Sequence, residues 1–384
     1  MTTIAGFEVY AVELPFKKPF KHAAAERKSS YSLLLRCDTD SGVAGFGECL
    51  PREYVTGESR DGAFDMLTRR VLPRLLGKRF DSLEEVQSFL SDCNGKAPAD
   101  WVDPATPQTA AWAAVDLSLL DAVGKATGRA VRLPGGNRIP AGFRFSVVFS
   151  AATGPKAVRS LITFRLFGFK AAKLKIEAGS EIDTARLARR ILGKHFDLRV
   201  DANMAWSVDE AAAAMARMSR FGITSFEQPL AASDIDGLAR LVRETGLGVM
   251  VDESLSDAQS LETLIDKGAC TAVNARISKC GGLMAAYNRC LRALEAGLTV
   301  QVGAQVGETS LLSAAQLMLI TAVGRVRYGE GCFGLHLLKE DPFSPLVQFG
   351  FGGRPPSLPE GPGLGVVPDP GILNRWCVRK QHVA

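Results

Sequence analysis

The sequence predicts an α/β fold, a β/α barrel that carries a smaller α+β domain over its mouth. Three observations predict it. First, five charged residues end successive apolar runs: Lys175 in AAKLKIE, Asp201 in LRVDAN, Glu227 in ITSFEQP, Asp252 in VMVDES and Lys279 in NARISK. Their separations are 26, 26, 25 and 27 residues. One strand, loop, helix and return loop of a repeating β/α unit take about that many, and a parallel crossover needs about a dozen or more. Second, the first 130 residues lack this rhythm. Third, from Gly350 onward the chain turns rich in Gly and Pro. Residues 1–130 are therefore read as a capping domain, 131–349 as the barrel and 350–384 as a segment that leaves the barrel and docks back on the capping domain.

Taken in order, IAGFEVYAVEL and SYSLLLRCDTDSGVAGFGECL read as strands, the second pair turning at Asp40, Ser41 and Gly42. Segments 62–78 and 107–127 have apolar residues at helical spacing, and Gly128 is a stop signal after Lys125. Strands followed by helices make an α+β unit. PGGNRIP at 134–140 is a turn-rich junction, and FRFSVVFS at 143–150 reads as the first barrel strand. Amphipathic helices are expected at 180–193, 207–220, 233–245, 257–267 and 281–295. Capping boxes are expected from Ser207 with Glu210 and from Ser256 with Gln259. LTVQVGA and VRYGEG supply the last strands around a helix at 308–323, giving seven or eight units and a closed barrel. The Gly/Pro-rich stretch excludes helix, and residues 371–384 read as either a last strand or a tail.

Composition narrows the function. The 384 residues are 46% hydrophobic and 23% charged, with a net charge of +5 spread along the chain. There is no basic run, which argues against nucleic acid and membrane surfaces as partners. No apolar run reaches the roughly 18 residues of a spanning helix. The eight cysteines are scattered without a CxxC pair, the pattern of free thiols in a reducing compartment. The opening MTTIAGFEVYAVELPF has no secretory signature. A cytoplasmic protein is expected.

The strand ends carry the chemistry. In a β/α barrel they form the catalytic face. Asp201, Glu227 and Asp252 come from three consecutive ends, and all-oxygen ligation suits Mg²⁺, with Mn²⁺ as the alternative, over zinc. Three carboxylates gathered without a cation repel one another and rise in pKa. Each acid taken alone has a simpler reading as a cap on the helix after its strand. Lys173 and Lys175, two apart, point to the same side of a strand. Mutual repulsion and burial lower their pKa values, so that one becomes a neutral base near pH 7. Lys279 is placed on a strand across the barrel, where it approaches a central substrate from the other face. The implied reaction removes a proton next to a carboxylate while the cation stabilises the enediolate.

K-x-K at 173–175, D-x-N at 201–203, E-Q-P at 227–229, D-E-S at 252–254 and K-x-G-G at 279–282 together resemble the enolase superfamily. The subgroup resembled is the muconate-lactonizing-enzyme (muconate cycloisomerase) / mandelate racemase family. The resemblance spans essentially the whole chain and includes GECLPREYVTGES, similar to the family's capping domain. It implies a modified TIM barrel, (β/α)₇β, with an α+β capping domain built from both termini, and an even-numbered homo-oligomer. It implies Mg²⁺ held by Asp201, Glu227 and Asp252, with Asn203 supporting them and Glu253 bonding near Lys279 or the metal. Lys175 is the base, Lys173 tunes it, and Lys279 acts from the far face.

The same resemblance leaves the reaction open. A racemase, epimerase or cycloisomerase acting on a small carboxylate is the leading reading. A lyase or dehydratase of the o-succinylbenzoate-synthase kind is the alternative, and a non-catalytic barrel scaffold the third. The D-x-D of dipeptide epimerases is absent, since Gly331, Cys332 and Phe333 stand there. An acid of muconate-type relatives aligns with Gly331, one residue from Glu330. Glu308 is either a substrate contact or a first-turn acid of the helix at 308–323. Other candidate substrate contacts are Glu330, Phe333 and, from the lid loops, Phe20, Lys21, His22, Glu26, Arg27, Arg52, Glu53 and Tyr54. Among these His22, Arg27 and Tyr54 are favoured, and Arg27 or Lys21 would suit a second anionic group on the substrate.

Overall fold

The computed structural model describes residues 1–22, 25–150, 154–176 and 179–384, with side chains described except at 20–22, 25 and 26. The first three strands are β1 (Thr2–His22), β2 (Ala25–Thr39) and β3 (Ala44–Cys49). They form an antiparallel meander, with Gly42 donating to Thr39 O at 3.0 Å in the β2–β3 turn. A helical segment from Arg60 to Leu75, π-helical at Leu67–Val71, is followed by α1 (Leu83–Cys93) and α2 (Thr109–Ala126). Almost every residue of α2 is buried, as befits a helix that is apolar all round. It lies directly on β3: a Cβ on Gly47 would stand 1.9 Å from Ala114 O. Glycine is what permits that approach.

Eight parallel strands follow, β4 (Val147–Ser150), β5 (Ala171–Lys175), β6 (Asp197–Asp201), β7 (Ile223–Glu227), β8 (Val249–Val251), β9 (Ala272–Arg276), β10 (Thr299–Gly303) and β11 (Val326–Gly329). They pair in sequence order. A parallel bridge from Phe145 to Gly329, with Ser146 N donating to Gly329 O at 2.9 Å, joins the last strand to the first. Between strands lie α3 (Pro155–Leu166), α4 (Glu181–Leu192), α5 (Val208–Ser219), α6 (Ile235–Thr245) and α7 (Ala258–Asp266). After β9 come the single turn α8 (Ile277–Cys280) and α9 (Leu283–Glu295), and after β10 comes α10 (Ser310–Val323). Strands and helices alternate as a modified TIM barrel, with the antiparallel sheet as its cap.

Three expectations need correction. Lys279 is not on a strand but in α8, because Gly281, at φ 87°, closes a single helical turn after Arg276. The cap of α7 is Asp257, which accepts from Ser260 N at 2.9 Å, so Ser256 and Gln259 are one residue out of register. Residues 371–384, read as a strand or a tail, begin in a helix, α11 (Pro370–Trp376), which starts on a proline at the tolerated first position. It leads to β12 (Cys377–Val383), which pairs antiparallel with β1. The tail thus completes the capping sheet.

Buried carboxylates fasten cap to barrel by bonding helix N-termini. Glu48 on β3 accepts from Thr309 N at 3.2 Å and Oγ1 at 2.6 Å, ahead of α10. Asp116 on α2 accepts from Leu283 N at 2.7 Å and Met284 N at 3.4 Å, at the start of α9. Within the cap, Glu58 does the same for α2, accepting from Ala110 N and Ala111 N at 2.6 and 2.9 Å. Among the described residues all eight cysteines are free, and no helix is long and apolar enough to cross a membrane.

Candidate active site

Register places the site. Ser150, Lys175, Asp201 and Glu227 are successive lateral partners at the C-terminal ends of β4 to β7. Asp252 follows the last residue of β8. The backbone leaves this rim through strained residues: Asn203, Met204 and Gln228 have φ of 44°, 62° and 37°, a region non-glycine residues seldom adopt. Gln228 secures two of the loops. Its Oε1 accepts from Asp252 N at 3.0 Å and Ser254 N at 3.1 Å, and its Nε2 donates to Ser254 Oγ at 2.9 Å.

Each acid of the expected metal trio is buried against a cationic side chain. Asp201 Oδ2 lies 3.3 Å from Lys175 Nζ and 3.5 Å from Lys173 Nζ, and it has no hydrogen bond. Glu227 takes Lys173 at 3.2 Å, Asn274 at 2.9 Å and Gln301 at 3.3 Å. Asp252 takes Lys279 at 2.8 Å and, on its other oxygen, Arg276, whose guanidinium is also 3.9 Å from Glu227. Burial alone would raise Asp201, but Lys175, Lys173 and Arg276 outweigh it and lower it to about 2. With these cations among the acids, no three acid, histidine or cysteine side chains among the described residues form a ready-made metal cluster. The donor set still suits a hard divalent ion: three carboxylates from adjacent strand ends, one with an orphaned buried oxygen.

The lysines separate into three roles. Lys173 is buried and also binds Glu330 at 2.6 Å. Burial would depress it, yet Glu227, Glu330 and Asp201 hold it above the ordinary lysine value. This corrects the expected depression at Lys173, because three buried acids surround it. Lys175 remains partly open, with its side chain 20% exposed. It donates to Asn203 Oδ1 at 3.0 Å, so Asn203 supports the lysine directly. Lys279 is buried at 1% exposure, bonded to Asp252 O, Asp252 Oδ1 and Asn274 O. Burial pulls its ammonium down to about 7.

A cavity of about 280 Å³ opens on this rim. Lys173, Lys175, Asn203, Glu253, Glu330, Phe333 and Tyr54 line it, whereas Lys279 does not. The cation that does reach it from β9 is Arg276. Glu253 lines the cavity with Oε2 unpartnered, and burial raises it to about 7. Glu330, expected as a substrate contact, is held by Lys173 and by the buried Arg199 at 3.0 Å. Glu308 does not cap α10 and is not in the cavity lining. The cap of α10 is Thr309, and Glu308 is buried outside the cavity, accepting from Gln305 N at 2.6 Å; burial raises it to about 8.

Tyr54 also borders a second cavity of about 400 Å³, inside the cap, lined by Arg27, Arg52 and Glu53. The Arg27 guanidinium lies 5.4 Å from the Tyr54 ring centroid. The side chains of Phe20, Lys21, His22 and Glu26 lie outside the described residues. Sequence reading missed Arg276, Gln305 and His336 in the lining. Arg276 had a signal in NARISK, where it directly ends the apolar run.

A family model described as the N-terminal domain of mandelate racemase / muconate lactonizing enzyme matches residues 5–132. Another, described as enolase C-terminal domain-like, matches residues 157–372. The chain is 27% identical to the N-succinyl-L-Arg/Lys racemase of Bacillus cereus, across 94% of this chain and 95% of the relative. That protein's crystal structure superposes with a TM-score of 0.89 over 100% of both chains. Identity to the chloromuconate cycloisomerase of Cupriavidus pinatubonensis is 27%, covering 95% and 96%. A dipeptide epimerase from Cytophaga hutchinsonii, solved with Mg and the dipeptide D-Ala-L-Val, shares the fold at a TM-score of 0.84 and 23% identity over 100% of both chains.

Proposed function

We propose, from the premise that this chain belongs to the mandelate racemase / muconate lactonizing enzyme family of the enolase superfamily, that Lys175 is its general base. Named relatives are racemases, epimerases and cycloisomerases, and the chain is an isomerase-type enzyme of this family. The substrate in this reading is a small carboxylate with a proton on its α-carbon, N-succinylamino acids being the first probes to try. Asp201, Glu227 and Asp252 would hold Mg²⁺. When bound, the ion supplies positive charge to the carboxylate as its α-carbon loses a proton.

The protein's own groups do the rest. Lys175, partly open and anchored by Asn203, takes the α-proton on the β5 side of the cavity. Lys173, clamped by Glu330, stays cationic and lends a fixed charge beside it. Phe333 and Leu337 give the cavity an apolar wall that limits water. Arg27 and Arg52 in the adjoining cap cavity suit a substrate with a distal anionic group.

The observation that carries this reading is the placement of Lys175 in the cavity lining, with three carboxylates on consecutive strand ends beside it. The test is deuterium uptake with Mg²⁺ in D₂O, followed by mass. A shift of one unit that disappears in Lys175→Met supports the reading, and uptake that persists in that variant refutes it.

A further inference from the structure

The two walls of the cavity are not equivalent. In the closed ring of eight strands, β5 and β9 stand four places apart, so Lys175 and Arg276 face each other across the mouth. Arg276 pairs laterally with Gly303 at the end of β10, and Gln305 lies two residues beyond. Both line the cavity. Gln305 is 3% exposed, and neither Oε1 nor Nε2 has a hydrogen-bond partner among the described residues. Arg276 commits its terminal nitrogen to Asp252, while its Nε is likewise buried and unpartnered. Buried polar atoms without partners are costly. Here they belong to two residues that line one cavity from adjacent strand ends.

We infer that Arg276 and Gln305 form an oxyanion-binding wall opposite Lys175, and that Lys279 is a positioning residue behind it that holds Asp252. This rests on the proposed function and sharpens it. A planar guanidinium flanked by an amide donor is shaped for a carboxylate or similar group of the substrate. A guanidinium keeps its protons. The α-proton therefore leaves to Lys175 Nζ, exchanges with solvent there, and returns to the same face. Inversion at the α-carbon needs a proton donor on the far face, and that wall provides none. Exchange at the α-carbon is then confined to one face, with the configuration kept.

The wall and the base are tested separately. Succinate is titrated calorimetrically into the Mg²⁺-loaded protein, and the wall requires binding that weakens at least tenfold in Arg276→Met and in Gln305→Leu. Arg276→Lys, which keeps the charge, guards against loss of fold and should fall between. Arg354→Met, outside this cavity, should bind as the wild type does. No succinate binding, or equal binding by wild type and Arg276→Met, overturns the wall.

D- and L-forms of N-succinylarginine and N-succinylphenylalanine are then incubated singly in D₂O. Exchange confined to one antipode, with Arg276→Lys opening exchange of the other, is the expected result. Comparable exchange of both antipodes by the wild type overturns the one-face assignment. Absence of all exchange, with succinate binding still dependent on Arg276, would count against Lys175 as base while leaving the wall in place.

Discussion

Carboxylates at the mouth of the barrel face side-chain cations, whereas those at the seam between cap and barrel face backbone N–H groups. Asp201, Glu227 and Asp252 are neutralised by Lys173, Lys175, Arg276 and Lys279. Glu48 and Asp116 are held by the first turns of α10 and α9. Both sets are buried, but Asp201 and the seam acids are shifted in opposite directions. Burial, partly offset by the backbone donors, raises Glu48 and Asp116 to about 7. Asp201, where lysines outweigh burial, is lowered to about 2. A helix terminus cannot leave its carboxylate, while a lysine or arginine can rotate away and yield to a metal ion. Acids answered by the backbone are committed to architecture, and acids answered by side chains stay available for chemistry.

That contrast predicts which property each substitution moves. Lys175→Met should cut kcat by about 10²- to 10⁴-fold with little change in thermal midpoint, as read by steady-state kinetics and calorimetry on one preparation. A large fall in midpoint would mean that the mouth is also structural. At the seam, Asp116→Ala should cost about 1–3 kcal/mol through unpaired N–H groups at α9, measured by urea unfolding, and the folded fraction should keep its kcat. Loss of activity beyond the loss of folded protein would erase the distinction.

Metal binding gives an effect of similar size. Mg²⁺ at about 100 times its Kd should stabilise the wild type by about 2.7 kcal/mol. Asp201→Asn should abolish that gain, whereas Glu48→Gln should keep it even from a lower baseline. The seam acids add a pH effect. An acid whose folded-state pKa is raised has its stabilising proton in place below the unfolded value, and it loses stability as pH rises through the window between the two. Asp116 and Glu48 therefore predict stability that declines from about pH 4 to 7. Asp116→Asn should flatten the decline, and an unchanged slope in that variant would remove Asp116 as a contributor.

The rim was legible in the sequence because a strand end is a local event: apolar run, charged residue, loop. Lys175, Asp201, Glu227 and Asp252 all follow that grammar. Lys279 did not, since the run already ends at Arg276 and only the Gly281-Gly282 pair hints that one helical turn intervenes before the loop. That turn carries Lys279 behind Asp252 and leaves Arg276 at the mouth. The seam left no local trace at all. Glu48 and Thr309 are 261 residues apart, and nothing near GFGEC announces that its glutamate will hold a distant helix. The lone pairs of Gln305 were equally silent, because an unsatisfied group is defined by what surrounds it in three dimensions.

The pairing of β12 with β1, Phe7 against Val383 among its partners, orders events at the ribosome. β1 and its meander emerge early, but one edge of that sheet lacks its neighbour until residues 377–383 have been synthesised. Through translation of the whole barrel the nascent cap carries an open strand edge, the surface on which unwanted intermolecular pairing starts. Chaperone demand during synthesis should therefore fall on the cap until residues 377–383 pair with β1.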